Sequence, residues 1–239
     1  MDLCRRWEFV PTEQLPSGHC SHVYATDDRV LKVPFRGEER TFGARAAVYL
    51  SKHHPSAVPI LEYDSETGCQ LMPRIRPGTN LADSGLSPGE QTDLAISLIH
   101  AMPDGEPDEL LMLSGYEPNP SPEWTALLDS SPPARFLHGD LHHFNILRGP
   151  EWTLIDPKGL WGDPAYEPAA FLRNPIPQLA TQPDLPRFQR ERIHAFAKGL
   201  NLDAERILAW HQADLNAMND DELDPSWEHL RGVVAELRL

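Results

Sequence analysis

The chain has 239 residues, a formal net charge of −15, and 40% hydrophobic against 24% charged residues. That length allows a sizeable core in one domain or two small lobes, and the composition is that of a soluble globular protein. The negative charge disfavours nucleic acid as a partner, and no apolar run approaches the roughly 18 residues of a membrane helix.

The N-terminus, MDLCRRWEF, lacks a signal-peptide core. Cys4, Cys20 and Cys69 show neither paired nor metal-ligand spacing, so reduced thiols and a cytoplasmic location are expected. The 24 prolines imply rigid loops between helices.

Residues 7–34 read as strands separated by turns. The first is 7–10, followed by a turn over 15–21 and a hairpin of 22–26 and 29–33 about Asp27-Asp28. Lys32 sits between Leu31 and Val33, and strand alternation turns it to the opposite face. A solvent-facing lysine is the ordinary outcome there. A helix is predicted over 38–51, opening on Glu38 and Glu39, where a helix dipole favours acids. Strands over 58–63 and 68–72 close a small sheet, and 72–78 reads as a connector.

A helix from about Pro88 to His100 places Leu94/Leu98 and Ala95/Ile99 at i, i+4 on a core face. Residues 77–134 contain no Lys or Arg and many acids, among them Asp83, Glu90, Asp104, Glu109, Glu117 and Glu123. A solvated acidic face explains many of them; a one-sign region also attracts cations.

The stretch from His138 to Pro164 carries the chemistry. Asp140 and Asn145 lie five apart in a histidine-containing loop. Two short apolar runs, 146–147 and 152–155, flank an Arg148-Gly149-Pro150-Glu151 turn and read as a hairpin. A hairpin joins its open ends, so Asn145 and Asp156 face one small volume with Asp140 just upstream. Two carboxylates and an amide oxygen are the hard ligand set that suits Mg²⁺ held partly by phosphates. Phosphoryl transfer needs this arrangement, with Asp140 accepting the hydroxyl proton and Asn145 and Asp156 holding metal.

Downstream, Asp163-Pro164 reads as a helix start with Asp163 at the N-cap; a structural role suits Asp163 better than a catalytic one. A run over 167–173 along the core and helices over 185–200, 203–218 and 226–237 complete the chain. Leu185, Phe188, Phe196 and Leu200 are core positions. Asp214, Asp220, Asp221, Glu222 and Asp224 form a second acidic cluster.

His138-Gly139-Asp140-Leu141-His142-His143-Phe144-Asn145 resembles the catalytic loop of the aminoglycoside phosphotransferase and choline-kinase-like superfamily. Asp156-Pro157-Lys158-Gly159, then Gly162 to Glu167 and Leu172-Arg173-Asn174-Pro175, resemble its streptomycin 6-phosphotransferase/hydroxyurea phosphotransferase branch. The close match spans about 40 residues. Phe144 departs from the pattern, and a bulky ring there is expected to reshape the acceptor pocket.

The resemblance implies an α+β, bilobal, protein-kinase-like fold: a small antiparallel sheet lobe, residues 1–73, and a larger mainly helical lobe, 74–239. It implies ATP and Mg²⁺ as cofactors. Lys32 then contacts the α- and β-phosphates, and Gly18 and Ser21 belong to the loop covering them. Glu38 or Glu39 is the candidate partner of Lys32. Pro73 has no N–H, so Met72 or Arg74 supplies any hinge donor to the adenine. C-terminal helices, including the second acidic cluster, wall the acceptor. The expected acceptor is a small cationic molecule, an aminoglycoside such as streptomycin, with an amino-sugar, hydroxyurea-like compound or amino alcohol as the near alternative. Two other readings compete: a zinc hydrolase built on His53, His54, His138, His142 and His143, which leaves Lys32 and the hairpin unexplained, and a non-catalytic nucleotide-binding module.

Overall fold

The computed structural model describes residues 2–16, 20–35, 37, 39–105, 109–176, 178–218 and 225–239, with the backbone alone at Asp2 and Glu39. Its first layer is α1 (Asp2–Arg6) followed by strands β1 (Glu13–Leu15), β2 (Ser21–Ala25) and β3 (Arg29–Pro34). A π-helical turn at Glu39–Gly43 leads into α2 (Ala44–His53), and β4 (Glu62–Tyr63) and β5 (Gln70–Pro73) complete an antiparallel sheet of order β1-β2-β3-β5-β4. Leu31, Leu71, Cys69, Trp7 and Phe9 form the core on one face of this sheet.

The rest of the chain is mainly helical. It comprises β6 (Thr79–Asn80), α3 (Pro88–His100), β7 (Leu111–Met112), α4 (Pro122–Asp129), β8 (Arg135–Leu137), β9 (Ile146–Arg148), β10 (Trp152–Leu154), β11 (Leu160–Gly162), α5 (Ala169–Leu172), α6 (Leu185–Leu200), α7 (Ala204–Ala217) and α8 (Pro225–Glu236). A large core unites these helices, centred on Trp124, Tyr166, Phe171, Phe196 and Trp210. Among the described residues no helix is long and apolar enough to cross a membrane.

The architecture is the expected α+β, kinase-like one, a small antiparallel sheet layer and a larger helical part. The predicted α3 and α6 match the observed bounds, and each has the caps that stop it there. Ser87 and Glu90 close a capping box before Pro88, and Asn201 ends α6 in the left-handed region. The hairpin also forms as read, with Trp152 opposite Arg148 and Leu154 opposite Ile146.

Several expectations are corrected. Residues 7–10 form no strand: Trp7 N–H donates to Leu3 O and Phe9 N–H to Cys4 O, so their backbone closes the end of α1 while the rings enter the core. The strand before the turn is instead β1. The helix expected over 38–51 starts as a π turn and runs on to His53. Of the strand expected over 58–63 only Glu62–Tyr63 remains, because Val58 N–H donates to Leu154 O and Ala57 bridges to the same hairpin. The run over 167–173 is helical only at Ala169–Leu172. The short pairings of β6 with β9, and of β11 with β7 and β8, were not anticipated.

Candidate active site

His138, delivered by β8 and fully buried, is the hub of the site. Its Nε2 lies 3.0 Å from Ile155 O, and its Nδ1 accepts the Asp140 N–H at 3.3 Å. These bonds fix a neutral ring protonated on Nε2, and burial pushes its pKa down to about 4. The His138 carbonyl accepts the N–H groups of Lys158 and Gly159 at 2.8 and 3.1 Å. One residue therefore ties the loop after β8 to the chain leaving β10. Gly139 has φ +77°, and a Cβ there would fall 2.8 Å from Leu160 Cγ, so a side chain fits neither the conformation nor the space.

Asn145 Nδ2 donates to Asp140 O at 2.9 Å, and Ile155 N–H donates to Asn145 O at 3.0 Å. Asn145 and Asp156 thus flank the last hydrogen bond of the hairpin, with the Asp140 backbone joined to the same group. Asp156 has φ +58°, an uncommon conformation for a non-glycine residue that concentrates at functional sites.

The two carboxylates have different partners. Asp156 Oδ1 accepts from Lys32 Nζ at 2.8 Å, a bond joining β3 to the hairpin mouth across 124 residues. Lys32 is 5% exposed, so the sheet does turn it away from Leu31, though into protein and not into water. Asp140 Oδ1 accepts from Arg173 Nη2 at 3.3 Å, and His142 Nε2 stands 3.8 Å from Oδ2. Arg173 Nη1 also reaches Asp214 Oδ2 at 3.0 Å, and the Tyr166 hydroxyl donates to Asp214 Oδ1 at 2.9 Å. Burial alone would raise the Asp140 carboxyl, but the charges of Lys158, His142 and Arg173 outweigh it and hold the group below the usual carboxylate range. Burial would lower Lys158, yet Asp140 and Tyr116 hold it above its ordinary value.

The loop is supported from behind by Glu167, whose Oε2 accepts the Gly139 N–H at 3.2 Å. Burial pushes this carboxyl up to about 8. Its folded pKa is raised above the unfolded value, so its contribution to stability is complete at low pH and is lost as pH rises towards 8. Glu167→Gln removes the titration and keeps an acceptor for Gly139. Thermal unfolding of the two proteins at pH 5 and pH 8 should show the variant gaining several degrees on the wild type at the higher pH. A constant difference would contradict the assignment.

A cavity of about 480 Å³ is lined by Arg173, which bonds Asp140. Cys20, Gly37 and Phe42 line it from the sheet side, and Tyr116, Glu117, Lys158, Arg173, Asp214 and Met218 from the helical side. Of the second acidic cluster, Asp214 lines this cavity. Asp220, Asp221, Glu222 and Asp224 lie outside the described residues. Of the acids between 77 and 134, Glu117 lines the cavity. Others do structural work: Glu90 caps α3, Asp104 pairs with Arg135 and Glu109 with Arg45.

Gly18 and Glu38 lie outside the described residues, as does the side chain of Glu39. Ser21 is buried at the start of β2, next to the cavity-lining Cys20. Arg74 is engaged within the sheet layer: its N–H donates to Asp28 O at 2.7 Å, and its Nη1 to Glu13 Oε1 at 2.5 Å and Thr26 O at 2.8 Å. That N–H is therefore occupied, against its expected use as the adenine donor. Phe144 packs edge-on against His142 at 5.8 Å, is 38% exposed, and is not among the residues lining this cavity. Asp163 is fully buried, caps the next turn through Ala165 N–H and accepts from Trp210 Nε1 at 2.6 Å, a structural role. His54 bonds Leu98 O and Ser56 N–H, and His143 stacks on Phe171 at 4.0 Å; both are used within the fold.

Sequence reasoning gave no role to Lys158, Arg173, Glu167 or Tyr116. The first three stand inside the motif segments, and their charge within apolar runs was the available signal. Tyr116 had none, since its contact with Lys158 is made only by the fold.

A family model for aminoglycoside/hydroxyurea antibiotic resistance kinases matches residues 123–217. Streptomycin 6-kinase of Streptomyces glaucescens is 27% identical over 261 residues, covering 94% of this chain and 84% of the relative. The Streptomyces griseus enzyme of the same name is 26% identical over 88% of this chain and 77% of its own length. A choline/ethanolamine kinase family protein from Mesorhizobium loti superposes with a TM-score of 0.62 at 16% identity, over 95% of this chain and 86% of that one. An aminoglycoside phosphotransferase from Streptomyces rimosus, solved with ADP and streptomycin, does so at 0.61 and 13% identity, over 96% and 97%. In class, the protein is a small-molecule phosphotransferase acting on a hydroxyl group. Residues 123–217 are similar to the aminoglycoside/hydroxyurea antibiotic resistance kinase family, and most of the chain is similar to the two streptomycin 6-kinases.

Proposed function

We propose that the protein transfers the γ-phosphoryl group of Mg·ATP to a hydroxyl of a small cationic acceptor, an aminoglycoside of the streptomycin type. The observation that supports this best is the bonding that ties the Asp140 carbonyl to Asn145 and Asn145 to Ile155, the residue before Asp156, at the hairpin mouth, with Lys158 and Arg173 lining a cavity between the sheet layer and the helices. Residues 1–73 serve as the nucleotide lobe and 74–239 as the catalytic and acceptor lobe.

The donor set fits Mg²⁺. Lys32 occupies Asp156 Oδ1 and leaves Oδ2 without a protein donor among the described residues, and Asn145, which spends Nδ2 on Asp140 O, keeps Oδ1 unengaged. Two such hard oxygens, with phosphate and water oxygens, make up the usual shell, and the ion neutralises charge on the phosphates. Lys32 holds Asp156 in place and reaches the phosphates from β3, with Gly18 and Ser21 in the loop above them. Asp140 orients the acceptor hydroxyl. The hydroxyl oxygen bonds to the γ-phosphorus as the bond to the β-phosphate oxygen breaks, ADP leaves, and the hydroxyl proton passes to Asp140. A carboxylate held below its usual range is a weak base, which suits a loose transition state in which the proton leaves late. Lys158 and Arg173 keep this carboxylate ionised and fixed.

Glu117 and Asp214 in the cavity, and the charge of −15, support a cationic acceptor through charge-assisted pairing. The names of the Streptomyces relatives point the same way. Measuring ADP release from Mg·ATP across aminoglycosides, amino-sugars, amino alcohols and hydroxyurea tests the proposal. Release stimulated by streptomycin or a related aminoglycoside is expected. Nucleotide binding with no stimulation by any acceptor would favour the non-catalytic reading.

A further inference from the structure

Behind the catalytic loop, away from the cavity described above, Arg192 of α6 is 4% exposed. Its guanidinium lies over Phe171 at 4.8 Å and Phe188 at 5.3 Å, and donates to Phe171 O at 2.6 Å, Asn174 O at 3.2 Å and Leu172 O at 3.3 Å. Three of its five N–H groups are thereby used. Nε and one N–H of Nη1 have no acceptor among the described residues, and no described carboxylate pairs with it. The adjacent Glu191 is turned to the exposed face, where it pairs with Arg187 at 2.7 Å.

A buried charge is ordinarily paired, and this one opens onto a pocket of about 150 Å³. His143, Gln91, Gln178, Gln182 and Phe188 line the pocket with Arg192. His143 Nδ1 is buried without a partner among the described residues, and the ring stacks on the same Phe171 that carries the guanidinium. The walls therefore offer an uncompensated cation, a second ring N–H donor in one histidine tautomer, and glutamine amides, with no described carboxylate. In volume the pocket holds about five waters, taking roughly 30 Å³ for each.

We propose that this pocket is a binding site for a small oxyanion of the free-phosphate type, which completes the hydrogen bonding of Arg192 and joins α6 to the catalytic loop through His143. Since His143 lies between Asp140 and Asn145, an occupant would brace the loop from its rear. This site is separate from the proposed phosphoryl-transfer site and does not depend on it.

The test is thermal unfolding of the full chain in sodium phosphate against sodium chloride of equal ionic strength. Arg192→Met removes the cation but also strips three carbonyls of their donor, so Gln182→Glu, which places a carboxylate in the pocket, is the cleaner variant. Lys32→Ala controls for phosphate held in the nucleotide cleft. At about twenty times the half-saturating concentration, phosphate should raise the midpoint by about 5 °C in the wild type. The rise should persist in Lys32→Ala and disappear in Gln182→Glu. Absence of the rise in the wild type, its persistence in Gln182→Glu, or its loss in Lys32→Ala would each overturn the proposal.

Discussion

Asp140→Asn should lower kcat by about a thousandfold, within the span of general-base removal, while nucleotide affinity changes by no more than about twofold. The amide keeps the size of the carboxylate and can still meet the acceptor hydroxyl, but it cannot take up the proton. It also leaves Arg173 with Asp214 as its remaining described carboxylate partner, so the loop should stay folded. Steady-state kinetics with Mg·ATP and the best acceptor, together with fluorescence titration of ADP, checks both halves. Turnover near the wild-type level would remove Asp140 from the role proposed for it.

Asp156→Ala should be at least as damaging, for a different reason. The carboxylate is assigned two tasks, offering one oxygen to the metal and binding Lys32 Nζ at 2.8 Å with the other. Loss of both should lower kcat/KM for ATP by about 10³-fold or more, through weaker nucleotide binding as well as slower chemistry. Stability should fall by only about 1–2 kcal/mol, since the Asp156 side chain is 43% exposed and its share of the pair is screened by water. Asp156→Asn separates the two tasks, because its amide oxygen still meets Lys32 but binds metal poorly. Kinetics and denaturant unfolding on both variants measure these effects, and a variant that transfers phosphate normally would contradict the assignment.

The hairpin, the bounds of α3 and α6, and the placing of Asn145 and Asp156 at the hairpin's open end were legible because each depends on neighbours in sequence. A Gly-Pro turn between two apolar runs has few alternatives, and a hairpin necessarily joins its ends. Trp7 and Phe9 misled because burial does not specify backbone: they fill the core of the sheet layer from a helix terminus. Val58 misled because its hydrogen-bond partner, Leu154, lies about a hundred residues away in the hairpin. The same separation hid Arg173, whose guanidinium bridges Asp140 and Asp214 across three elements. Lys32 was read from its strand position, but its bond to Asp156 depends on how the sheet meets the hairpin, which no local pattern records.

Metal binding tests the convergence of these side chains most directly. Mn²⁺, substituted for Mg²⁺ and followed by electron paramagnetic resonance in the presence of ADP, should bind the wild-type protein tightly. Asn145→Ala and Asp156→Asn should each weaken that binding by about 100-fold, while Glu117→Gln leaves it unchanged. Mn²⁺ held equally well by all four proteins would show that Asn145 and Asp156 do not share a metal, and the phosphoryl-transfer geometry built on them would fall.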